Sequence, residues 1–158
     1  LLIVGGHDDE ARALAAAAER DVPSSNASTV LALSYMQAGR TREAIATLRL
    51  VVAKDPTDAD AASMLAWLLA TASDDQLRDG ATALVLAQGA VAAAGDAPDA
   101  DRLDTLAAAY AEVGRFDDAI VTARRAKAAA ENAGTDDLAG EIAERLALYE
   151  QHHPYRAD

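Results

Sequence analysis

The chain contains no cysteine among its 158 residues, so disulfides, thiolate catalysis and cysteine-based zinc sites are all excluded. It is also short of basic residues: 14 Lys and Arg stand against 26 Asp and Glu, a formal net charge of −12 with a pI near 4.5. Nucleic-acid binding needs clustered Lys and Arg to meet the phosphates, and this balance argues against it. The same deficit disfavours an anionic membrane surface. No stretch approaches the roughly eighteen apolar residues of a membrane span, so no membrane insertion is expected. The opening LLIVGGHDDE has no initiator Met and no basic segment, and its apolar run is too short for a signal peptide. These features predict a soluble chain that forms the C-terminal part of a longer protein. Its default compartment is the cytoplasm, with the periplasm left open because the absence of cysteine suits either.

Aromatics make up only 4% of the sequence, with 9 Gly and 4 Pro, while alanine exceeds a quarter of it. Alanine has the best helix propensity and lets helix backbones approach closely, so the composition predicts an all-α fold. Internal repetition sharpens this. Leu31-Ala32-Leu33-Ser34-Tyr35-Met36-Gln37-Ala38-Gly39-Arg40-Thr41-Arg42-Glu43-Ala44-Ile45 aligns with the segment from Leu106 to Ile120, and both read L-A-x-x-Y-x-x-x-G-R-x-x-[DE]-A-I. Leu, Ala and Tyr recur at helical spacing and form one buried stripe. Gly39 and Gly114 are predicted to end the first helix of each pair in a left-handed conformation. Ala44 and Ala119 then begin the inner stripe of a second helix. Asp55-Pro56 stops that helix in the first copy, since a residue before proline is biased away from the α region.

This pattern resembles the tetratricopeptide repeat (TPR) family, and in its LAWLLAT and LDTLAAAYAE segments a bacterial subclass of it. The resemblance implies a right-handed α-solenoid of about three and a half helix pairs plus a C-terminal capping helix, all in a single domain. The expected divisions are a partial repeat at 1–24, repeats at 25–58, 59–99 and 100–133, a capping helix at 135–152 and a tail at 153–158. The 59–99 repeat carries an extended turn, residues 72–80, between its helices. In the capping helix, Ile142, Leu146 and Tyr149 are expected to face inward, with Glu141, Glu144 and Arg145 outside, because a solenoid needs a polar cover at its end.

No catalytic signature is present: neither a P-loop nor G-x-G-x-x-G, G-x-S-x-G or H-E-x-x-H occurs. Gly5-Gly6 is expected in a turn between helices rather than as a phosphate cradle. His7-Asp8-Asp9 reads as helix-start chemistry and His152-His153 as cover for terminal carbonyls, rather than as metal ligands. Asp74-Asp75 lacks the shaped pocket that a general acid–base pair requires. The chain is therefore read as non-enzymatic, with no catalytic residue, metal or cofactor.

What the resemblance offers instead is a concave face lined by the first helix of each repeat. By position its partner-binding residues are Asn26, Thr29, Leu33, Met36, Asp60, Ser63, Trp67, Asp101 and Asp104. Some family members clamp a terminal carboxylate with Lys, Asn and Arg at such positions. Here one Asn and no Lys or Arg stands among them, so acidic tails are not the expected ligand. Leu33, Met36 and Trp67 suit an apolar or helical peptide, and the Asp residues suit a partner carrying Lys or Arg. The leading expectation is a protein-interaction module binding a peptide or helix in that groove. The alternatives are a regulatory or substrate-recruiting domain of a larger enzyme, and a self-associating scaffold in which Leu1 to Val4 promote a homo-oligomer.

Overall fold

The computed structural model of the protein describes residues 26–157 together with Ala13. The partial repeat expected at 1–24, the His7-Asp8-Asp9 segment and the apolar opening, apart from Ala13, lie outside the described residues. Those described form seven α-helices: α1 (Asn26–Gln37), α2 (Thr41–Lys54), α3 (Ala59–Thr71), α4 (Gly80–Ala93), α5 (Ala100–Glu112), α6 (Phe116–Ala133) and α7 (Asp136–Glu150). A 3-10 turn, Asp75–Leu77, stands between α3 and α4, and no β-strand is formed among the described residues. The fold class is all-α, built of successive helix pairs. By its contacts the chain divides into two compact units, Leu1–Ala61 and Ala62–Asp158.

In the first unit α1 packs on α2. Leu31, Ala32 and Tyr35 are buried with Ala44, Ile45, Leu48 and Val51. Ala32 and Ala44 have no exposed surface, and their small side chains let the helices close around the ring of Tyr35. Gly39, at φ 70°, ends α1, a conformation that costs an L side chain steric strain. Two backbone bonds close the end: the Arg40 N–H donates to the Tyr35 carbonyl at 2.9 Å and the Gly39 N–H to that of Met36 at 3.0 Å. Arg40 then lays its guanidinium over the Tyr35 ring, 4.9 Å from the centroid, and pairs with Glu43 at 2.6 Å. At the far end of α2, Asp55 accepts bonds from the Thr57 hydroxyl and backbone N–H, which hold its carboxyl below the usual range.

The second unit repeats these devices. Gly114, at φ 77°, ends α5, the Arg115 N–H donates to the Tyr110 carbonyl at 2.9 Å, and the Arg115 guanidinium lies 4.6 Å from the Tyr110 ring centre. Gly134 ends α6 in the same conformation. His152 does so after α7 with φ 59°, and its ring stacks on Phe116 at 5.1 Å. Here α5 packs against both α4 and α6, and α6 packs against α7. With neighbours on both sides, α5 is buried continuously from Leu103 to Ala109. Ala119, Ala123, Ala126 and Ala130 give α6 a single stripe of small residues against Leu103, Ala107 and Ala111. The long turn is held by its own acids: Asp74 caps the 3-10 turn through the Gln76 N–H, and Asp79 caps α4 through the Thr82 N–H at 3.0 Å and hydroxyl at 2.6 Å.

Candidate binding site

The residues singled out by position fall in both units. In the first, Thr29, Leu33 and Met36 sit at i, i+4 and i+7 on α1, one face of the helix. Leu33 is 41% exposed, while Thr29 and Met36 are half-buried. Asn26 is the first residue of α1. Asp60 is exposed in the first turn of α3, where an acid complements the helix dipole.

In the second unit, Trp67 and Asp104 meet through a residue that the sequence pattern placed elsewhere. Arg145 was expected on the outer, polar side of the capping helix; instead it is only 6% exposed. It shares a stripe with Ile142 and Tyr149, three residues after one and four before the other, and both of those are fully buried. Arg145 reaches Asp104 on α5 by two parallel contacts, Nε to Oδ1 at 3.2 Å and Nη2 to Oδ2 at 2.8 Å. Its guanidinium lies 5.3 Å from the Trp67 ring centre and 5.4 Å from that of Tyr155. The two rings are themselves 5.8 Å apart and tilted by 39°. Ser63 comes within 3.5 Å of the Thr105 hydroxyl, and Asp101 stands exposed in the first turn of α5.

Burial dominates the electrostatics of this cluster. It pushes the Asp104 carboxyl up to about 6, against the opposing pull of Arg145. Burial is the largest influence on Arg145 and opposes its charge, but the charge and hydrogen bond of Asp104 together with Tyr149 and Glu141 outweigh it and raise the guanidinium above its ordinary value. The Tyr149 hydroxyl is buried without a hydrogen-bond partner, and burial, followed by the negative charge of Asp104, holds it neutral far above the usual phenol range. Both oxygens of Asp104 are engaged by Arg145, so this carboxyl is poorly placed to serve a substrate. Among the described residues no group of three or more His, Asp or Glu is gathered to hold a metal ion. No helix among them is long and apolar enough to cross a membrane.

Next to this cluster, residues 154–157 run back against α3. The Ala157 N–H donates to the Thr71 carbonyl at 2.8 Å, forming a single parallel bridge between Ala72 and Ala157. Arg156 Nη1 lies 2.7 Å from Glu112 Oε2, an ion pair whose approach angle falls short of a hydrogen bond. The other Glu112 oxygen accepts from Arg78 Nε at 3.2 Å, and Arg78 also donates to the Ala72 and Ser73 carbonyls. A cleft of about 300 Å³ opens beside Tyr155, lined also by Glu141, Glu144, Arg145 and Leu148. Arg78, Glu112, Arg145, Tyr155 and Arg156 were absent from the sequence-based site. For Arg145 the local signal was its spacing within the Ile142–Tyr149 stripe.

Stacked helix pairs with this turn chemistry define a helical-repeat scaffold. Residues 9–68 match the tetratricopeptide repeat profile. The crystal structure of MamA is similar over 95% of this chain and 92% of that one, with a TM-score of 0.58 and 22% identity, a likeness of fold. No curated protein matches the chain at a significant level. The chain thus has the fold of a helical-repeat protein and is similar to the tetratricopeptide repeat family over residues 9–68. Repeats of this kind generally mediate protein–protein interaction and are typically non-catalytic.

Proposed function

We propose that the chain is a non-catalytic module whose first-helix faces form a concave groove for a peptide or helix of another protein. One observation carries this reading. The face around Trp67, Asp104 and Glu112 already holds an extended segment, through a main-chain bond to Thr71, a ring on Trp67 and a guanidinium beside Glu112. Contacts of that kind do not depend on the segment belonging to the same chain. Leu33 and Met36 supply apolar surface on α1, and the exposed Asp60 and Asp101 favour a partner carrying Lys or Arg.

The test is affinity capture by the parent chain beside a Trp67→Ala/Asp101→Lys variant, with mass spectrometry of the retained proteins. Asp104 is left intact because its loss would strand Arg145. The variant must first melt cooperatively. A protein retained by the parent and lost by the variant, then bound directly when purified, is the expected result. Equal retention by both chains removes the groove from the account.

A further inference from the structure

The face that holds residues 154–157 has a chemistry of its own, independent of its present occupant. It lies where two helices end. Ala70 and Thr71 close α3, and the last carbonyls of a helix have no partner within it. Glu112 closes α5, so a carboxylate adds to the negative end of a second helix dipole. That carboxylate is fixed before any ligand arrives, because Arg78 holds one oxygen and the α4 backbone crowds its stem. A Cβ built on Gly80 would come within 2.9 Å of Glu112 Cγ. The free side of Glu112 together with these carbonyls makes a receptor for a guanidinium and a main-chain N–H. One step away, Trp67 and the buried Arg145 present a π face and a planar cation, which together receive an aromatic ring. The spacing of the two receptors matches neighbouring residues on an extended strand, as Tyr155 and Arg156 occupy them.

We propose that this face is a docking site for an extended segment of a partner protein in which an aromatic residue is followed directly by arginine. Residues 154–157 are its built-in occupant, displaced when the partner binds. The inference rests on the peptide-binding reading above and deepens it by naming the ligand chemistry and the competitor. The built-in segment is held by few contacts: one main-chain bond, the Tyr155 ring against Trp67 and Arg145, and Arg156 paired with Glu112 and reaching the Ala70 carbonyl at 3.4 Å, with Tyr155 and Arg156 both half-buried. An intramolecular ligand on a short tether acts at an effective concentration on the order of millimolar, so it masks the site from a dilute competitor.

Fluorescence anisotropy with a labelled peptide of the sequence of residues 152–158 tests this against three proteins. These are the parent, a chain stopped after His153, and a chain with Tyr155→Ala and Arg156→Ala. The expected result is that both altered chains bind the peptide roughly tenfold or more tighter than the parent. A peptide with glutamate in place of the arginine should bind neither. Binding no tighter than the parent's, by either altered chain melting like the parent, overturns the proposal. So does loss of cooperative melting in both, since the segment would then be a fixed part of the fold. Failure here with a Trp67-dependent partner still captured leaves the groove reading standing and removes only the aromatic–arginine specificity. Peptide binding with no such partner captured supports this inference and puts the broader groove reading at fault.

Discussion

Asp104 is a carboxyl with two good contacts in a place that disfavours its charge. Only 4% of the residue is exposed, and burial outweighs Arg145 enough to raise the group from an ordinary value of 3.8 to about 6. Between those values the folded state binds more protons than the unfolded one. The stability contributed by this group is therefore complete below pH 3.8 and is lost as pH rises through 6. Relative to an Asp104→Asn variant, the parent should weaken between pH 4 and pH 7 by on the order of 2 kcal/mol, since a tenfold change in proton affinity corresponds to about 1.4 kcal/mol. Paired thermal melts across that range check it. The reverse trend, with acid selectively weakening the parent, would mean that Arg145 rather than burial governs the carboxyl.

At the scale of the element, the helix ends carry the repeat. Gly39 and Gly114 occupy equivalent positions at φ 70° and 77°, and a Cβ added at either meets nothing within 4 Å. Their replacement by alanine should cost about 1 kcal/mol each, from backbone strain alone. Gly89, inside α4 with equally open space and no positive φ, should gain about 0.5–1 kcal/mol on the same change. Denaturant titration of the three variants separates the two signs, and a loss at Gly89 would refute the account. These ends were legible in the sequence because the Tyr-x-x-x-Gly-Arg run is local: ring, glycine and arginine fall within six residues and determine one another. The face of α7 was not. An arginine on an apolar stripe reads as solvent-exposed until its carboxylate is found, and Asp104 is 41 residues away. The place where residues 154–157 dock was not legible either, because the main-chain bond to Thr71 asks nothing of the side chain that makes it.

For the whole molecule the governing quantity is a net charge of −12. Like charges repel in the compact state, and added salt relieves that repulsion. Exposed ion pairs pull the other way. Arg115–Asp118, Lys127–Glu131 and Arg124–Glu150 lie at the surface, where such pairs contribute a few tenths of a kcal/mol each and are screened together with the repulsion. The buried Asp104–Arg145 pair is largely indifferent to salt, being shielded from solvent ions. With 12 more acids than bases, the acidic side chains outnumber the cations that could pair with them, so relief of repulsion should prevail. The Tm is expected to rise by a few degrees, roughly 1 kcal/mol of stability, between 20 and about 500 mM sodium chloride, where the Debye length falls below about 5 Å. Chloride is the right anion, because sulfate would strengthen apolar burial and give the same sign for another reason. Affinity for a basic partner segment should fall over the same range, since the acids that destabilise the chain are those that attract the ligand. Parallel movement of Tm and affinity would break that link, and would place the binding energy in the apolar surfaces of Leu33, Met36 and Trp67 instead.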